Sequence, residues 1–198
     1  MKTKIIEKAA ELFLKLGFKS ITMDDIANEM AISKKTIYKF FCNKEVLIEE
    51  TVEKVHNDIN HTMSEIFQQK HNAIKENFQI RQTFKELFKS SETSPVYQLK
   101  KHYPEIYDKV YFRQIEECKV WFRANIEKGI MQGLYRPEVD IELYSKFYYL
   151  LIFQINESTV LEKETSALEL KALEYHTRAL STPKGIEELE NQLSNLNI

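Results

Sequence analysis

Residues Ser33 to Lys44, "SKKTIYKFFCNK", hold four lysines and no acidic residue. Ammonium groups at that density, interleaved with the hydroxyls of Ser33, Thr36 and Tyr38, suit a partner rich in phosphate. The cations neutralise its charge, and hydroxyl and backbone N–H groups donate to its oxygens. A carboxylate among them would be repelled. The same lysines are also what a solvated helix face shows, so the elements that carry them must decide between the two readings.

Other residues capable of chemistry are scattered. His56, His61, His71, His102 and His176 form no i, i+4 pair and have no cysteine or aspartate companion at ligand spacing. There is no glycine-rich phosphate loop and no nucleophile elbow. No catalytic residue, metal or cofactor is therefore expected, and the chain is not expected to be an enzyme. Cys42 and Cys118 stand in unlike contexts without metal-like spacing; Cys42 reads as a small filler, and two unpaired thiols fit a reducing compartment.

Charge is uneven along the chain. Residues 1–47 carry nine lysines against six acids, a balance of +3, whereas residues 48–198 carry 19 basic and 24 acidic residues, a balance of −5. A small module that faces a polyanion, attached to a larger acidic body, would give this division. No apolar run approaches the ~20 residues that span a bilayer. The opening Met-Lys-Thr-Lys-Ile-Ile-Glu lacks the apolar core of a signal peptide. A cytoplasmic protein without a membrane partner is expected.

The elements that position the lysines are helical. Ile5, Ile6, Ala9, Ala10, Phe13 and Leu16 follow one helical face up to Gly17, a helix stop. Thr22 is an N-cap for a second helix, with Asp24 and Asp25 in its first turn and Ile26, Ala27 and Met30 on its inner side. Ser33 caps a third, whose apolar face is Ile37, Phe40 and Phe41; at least one of those phenylalanines belongs to the core. Asn43 caps a fourth. Three short helices joined by tight breaks make a helix-turn-helix with a supporting first helix.

Beyond Leu47 the apolar spacing continues through Ile48, Val52, Val55, Ile59, Met63, Ile66 and Phe67, a long helix leaving the small unit. Residues 74–88 form another, and Ser90 to Pro95 reads as a loop. Pro104 opens a helix up to Gly129, with Tyr107, Tyr111, Ile115, Cys118, Phe122 and Ile126 on one side. Asp140 caps the next; Ser166-Ala167-Leu168-Glu169 has the form of a capping box opening another, and Thr182-Pro183 opens the last. Nothing alternates with period two. The fold class expected is all-α, with a helix-turn-helix domain at 1–47 and a larger helical domain at 48–198.

Gly17, Ile21-Thr22, Ile26-Ala27, Ser33, Ile37-Tyr38, Phe41, Lys44-Glu45 and Leu47 fall at spacings that resemble the DNA-binding domain of the tetracycline-repressor (TetR) family. Gly129 to Asp140, "GIMQGLYRPEVD", is similar to that family's helix end and turn ahead of its dimerisation helices. Two positions depart from the pattern: Ala31 stands where the family usually has Gly in the turn, and Lys35 where Gly is frequent.

The resemblance implies an interface with double-stranded DNA. Lys34, Lys35 and Thr36 would face base edges at the front of a recognition helix capped by Ser33, with Tyr38 and Lys39 one turn on and Thr22 and Lys44 as flanking phosphate clamps. It also implies a ligand-binding and dimerisation body whose pocket lies among the middle helices. By face and family placement, the candidate ligand-binding residues are Met63, Phe67, Phe84, Tyr111, Ile115, Phe147 and Leu151, although aromatics at helical spacing also simply pack. The helices near 141–155 and 166–180, the first apolar around its circumference and the second striped with small residues, are the expected homodimer interface.

The function expected is a DNA-binding transcriptional regulator, a repressor released from a near-palindromic operator by an apolar or amphipathic small-molecule effector. The alternative is a helical protein-interaction module governed by a protein partner, with weak or non-specific DNA binding.

Overall fold

The computed structural model describes residues 1–196 as ten helices in that span. They are α1 Lys2–Leu16, α2 Met23–Glu29, α3 Lys34–Tyr38, α4 Lys44–Gln68 and α5 Ala73–Phe88. They continue as α6 Pro95–His102, α7 Pro104–Met131, α8 Ile141–Ser158, α9 Glu162–Leu180 and α10 Pro183–Asn195. None of them is long and apolar enough to cross a membrane.

Local chemistry fixes most helix starts. The side chains of Thr22, Ser33, Asn43 and Asp140 each accept the backbone N–H three residues on. Thr182 does the same ahead of Pro183, which begins α10. Gly17 ends α1 at φ 95°, a conformation that disfavours any Cβ, with its N–H on the Phe13 carbonyl at 2.9 Å. At the far end of α7 the ring of Tyr135 lies against the helix at Gly129, where a Cβ would stand 2.0 Å from the ring. That close approach explains the glycine in the sequence.

Two expectations need correction. The loop expected from Ser90 ends one residue early, at Ser94, which caps an unexpected helix, α6, with Pro95 in its first turn. Ser166 to Glu169 does not open a helix, because α9 already begins at Glu162, whose N–H donates to the Glu92 carbonyl at 3.0 Å. Ser166 and Glu169 are interior residues of α9, and their oxygens serve tertiary contacts.

Two apolar cores result. The first joins Ile5, Phe13, Ile26, Ile37, Phe41, Leu47 and Ile48 of α1 to α4 with Leu99, Ile106 and Tyr107 of α6 and α7. The second gathers Ile74 and Phe78 of α5, Ile126 of α7, Tyr148 of α8, Leu173 and Leu180 of α9 and Leu189 of α10. A buried polar network braces α5 on α7: Glu76 accepts from Asn125 at 2.8 Å and pairs with Lys128 at 2.5 Å. Nothing breaks the chain near residue 47. Helix α4 runs through it, its first two turns packed in the first core and its later turns in the body.

Candidate DNA interface and interior cavity

Helices α2 and α3 form the helix-turn-helix. The turn closes with Ile32 N–H on the Ala27 carbonyl at 3.0 Å, a bond across the end of α2 that requires a left-handed residue between them. Ala31 supplies it, at φ 52°. The turn thus keeps the geometry for which glycine is the usual choice.

The expected DNA-binding residues divide into three groups. Lys35 and Lys39 are exposed and make no ion pair among the described residues. Tyr38 beside them is 44% exposed. Ser33 and Thr36 are bound to each other, their hydroxyls 2.9 Å apart, and Ser33 also accepts Thr36 N–H, so both hold the helix start. Thr22 is exposed but engaged in a reciprocal box with Asp25, whose carboxylate accepts its N–H and hydroxyl at 2.8 and 2.7 Å. Those bonds hold the Asp25 carboxyl below the usual range.

Lys34 does not reach outward freely. Its Nζ sits 2.7 Å from Asp24 of α2 and lies over the Tyr38 ring, a bridge that sets α3 against α2. Lys44 departs further from expectation: it turns inward. Its Nζ donates to the Lys19 carbonyl at 3.2 Å and lies between the rings of Phe13 and Tyr103. Desolvation lowers its pKa there. In this structure Lys44 fastens the α1–α2 turn to α4 and the body, because the aromatic faces offer a cation more than the open surface of a short turn does. Phe41 is fully buried while Phe40 and Cys42 are exposed, so Cys42 is no core filler.

A cavity of about 200 Å³ lies among α4, α5, α7 and α8 and reaches the first unit through Phe13, Leu14 and Phe18. Of the expected ligand residues, Met63, Phe84 and Tyr111 line it. Phe67 packs on the cavity residue Trp121 from behind, and Ile115 lies off the wall. Phe147 and Leu151 must be corrected: they are 58% and 38% exposed on the outer face of α8. That helix is apolar on nearly every side, so periodicity alone could not say which side looks inward.

Sequence reading missed the polar cavity residues Arg81, Asn156 and Glu169. A signal existed: Asn77, Arg81, Phe84 and Phe88 share one helical face, and charge on an otherwise inward stripe marks a buried polar site. Around the outer face, Leu143, Phe147, Leu150 and Leu151 of α8 lie exposed, as do Leu168 and the 71% exposed Tyr175 of α9. Large apolar side chains clustered on two neighbouring helices mark an association surface.

Hydrogen bonds tie the two units together. Gln98 of α6 accepts the Phe18 N–H at 3.1 Å, and Ser91 donates to the Leu14 carbonyl. On the other side, Lys109 and Arg113 of α7 pair with Glu49 and Glu53 of α4 at 2.6 and 2.7 Å.

Residues 5–51 match the profile of the tetR family of bacterial regulatory proteins. The chain is 26% identical over 178 residues to the HTH-type transcriptional regulator YhgD of Bacillus subtilis, covering 84% of this chain and 90% of YhgD. It is 39% identical over 57 residues to IcaR of Staphylococcus epidermidis, the HTH-type negative transcriptional regulator of the biofilm operon icaADBC, over 29% of this chain and 31% of IcaR. Among solved structures, a transcriptional regulator from Cytophaga hutchinsonii superposes with a TM-score of 0.72 at 17% identity, covering 91% of this chain and 98% of that one. The reduced form of Escherichia coli NemR superposes with a TM-score of 0.71 at 14% identity, covering 92% and 97%. At those identities the superpositions establish a common fold, while the match over residues 5–51 fixes the DNA-binding domain. Residues 5–51 form a helix-turn-helix domain of the tetR family of bacterial regulatory proteins, and over most of its length the chain is similar to transcriptional regulators rather than to enzymes.

Proposed function

We propose that two copies of the chain, joined through α8 and α9, repress transcription from a near-palindromic operator and leave it when a small apolar or amphipathic molecule fills the cavity. The observation that carries this reading is the cavity wall: Phe13, Leu14 and Phe18 of the DNA-binding unit face the same space as Arg81, Tyr111 and Trp121 of the body. A molecule in that space touches both units at once, so its affinity depends on how they are set against each other. Release follows when it binds the DNA-incompetent arrangement more tightly; a hundredfold loss of operator affinity needs a difference of about 2.8 kcal/mol. Two-fold symmetry sets the pair of α3 helices about one DNA turn, ~34–36 Å, apart when bound.

Selection of a duplex from a random pool, followed by binding titrations across salt, tests the reading. The expected result is a near-palindromic site, a steep fall of affinity with salt, and a lower salt slope for Lys35→Ala and Lys39→Ala. Equal, shallow affinity for every duplex would overturn it in favour of a protein-interaction module.

A further inference from the structure

One end of the cavity carries a cation without a counter-ion. Arg81 of α5 donates through Nη2 to the Ser166 carbonyl at 2.9 Å, with the Ser166 hydroxyl at 3.4 Å. Its Nε is buried without a hydrogen-bond partner, and no carboxylate among the described residues stands within ion-pair distance of the guanidinium. A buried donor left unmade is costly. The nearest acid, Glu169, lies one turn beyond Ser166 and accepts from Asn156 Nδ2 at 2.8 Å. Its carboxylate is thus committed to Asn156 and forms no ion pair with Arg81, while desolvation raises its pKa against the pull of that bond and of Arg81. His176, stacked on the Tyr148 ring at 4.1 Å, is held neutral by burial and adds no charge.

The rest of the wall is different in kind. Phe84, Phe88, Trp121, Val52 and Val55 make it largely apolar, with Thr51, His56, Asn77 and Gln114 as further polar lining residues. The volume of about 200 Å³ is a third larger than the ~150 Å³ that admits benzene, which suits a molecule of roughly eight to ten heavy atoms.

We propose that the cavity takes an amphipathic carboxylate, its head on the guanidinium of Arg81 beside Tyr148 and its apolar tail toward Phe84 and Trp121. The inference rests on the reading of this cavity as the effector site. It deepens that reading by fixing the chemical class: a small monoanion with a single apolar chain or ring. A neutral isostere leaves the guanidinium unpaired, and an amine places a second cation against it.

Octanoate, octanol and octylamine test the assignment on the whole protein. Trp121, the single tryptophan, lies in the cavity wall and reports occupancy by its fluorescence. Octanoate is expected to bind at least tenfold more tightly than octanol, with octylamine the weakest. Arg81→Met is expected to bring octanoate down to the level of octanol, whereas Glu169→Gln keeps the preference. The proposal is overturned if octanoate shows no saturable binding, if octanol equals it in the unaltered protein, or if a folded Arg81→Met form still prefers the acid. The order of the three probes needs no variant and decides the matter if Arg81→Met does not fold. Duplex binding measured in the same titrations separates the two readings. Occupancy by octanoate without loss of duplex sinks the effector reading alone, and release by octanol but not octanoate sinks the carboxylate site alone.

Discussion

The left-handed alanine of the helix-turn-helix offers a clean test of how local strain is carried. Ala31 sits at φ 52° with its methyl group exposed, so replacing it by glycine removes no packing. A left-handed L-residue costs about 1–2 kcal/mol. Glycine returns about 0.4–1 kcal/mol of that by enlarging the freedom of the unfolded chain. Ala31→Gly should therefore stabilise the protein by about 0.8 kcal/mol, a rise in Tm of roughly 2–3 °C for a chain of this size. Urea unfolding followed by circular dichroism measures the change, at one protein concentration because association contributes to apparent stability. Ala31→Val should move the opposite way, since a β-branched side chain tolerates the region least. Operator affinity should stay within about twofold, because glycine adopts the same turn without altering Lys35 or Lys39. A lower melting temperature for Ala31→Gly with an unchanged unfolding slope would refute the argument that the turn is strained.

Three further outcomes are expected. Gly129→Ala sets a Cβ 2.0 Å from the Tyr135 ring; overpacking of about 3 kcal/mol outweighs a helix-propensity gain of about 1, so urea titration should show a net loss near 2 kcal/mol. Phe147→Glu places a charge on the exposed apolar face of α8, and sedimentation should show the dimer giving way to monomer, with at least a tenfold loss of operator affinity. Burial holds the pKa of His176 down at about 3, whereas the unfolded value is near 6.5, so the unfolded chain binds the extra proton. The stability this histidine contributes is complete above pH ~6.5 and is lost as pH falls toward 3. At pH 5 the loss is about 2 kcal/mol, and it should be absent from the pH titration of a folded His176→Phe variant.

Local features were legible in the sequence where one side chain settles them. Thr22, Ser33, Asn43, Asp140 and Thr182 each satisfy an N–H three residues away, so a helix start is written within four residues. Helix α6 escaped although Ser94 and Pro95 mark its start, because with Leu99 as the one buried aliphatic side chain its eight residues show no apolar stripe. The start of α9 was misplaced because a tertiary bond from Glu162 to Glu92, rather than a capping side chain, fixes it. The cavity was legible as a property of the middle helices but not residue by residue. Which face of α8 looks inward depends on α7 and α9, whose positions no spacing within α8 encodes. Lys34 and Lys44 show the same limit: their charge is plain in the sequence, whereas Asp24 and the ring of Tyr103 claim them only in three dimensions.

The uninterrupted run of α4 has a mechanical consequence. Its 25 residues make a rod about 37 Å long, anchored at one end by the Asn43 cap and flanked by cavity residues along its middle. A tilt of about 5° about its midpoint swings the Asn43 end through roughly 1.6 Å, and twice that when both subunits move apart. Measured against the ~34 Å repeat of the major groove, this would be a change of nearly a tenth in the spacing of the two recognition helices of the proposed dimer. In the proposed repressor, a displacement smaller than a single bond-length at the cavity would be geared up, by nothing more than leverage, into a misfit with the double helix.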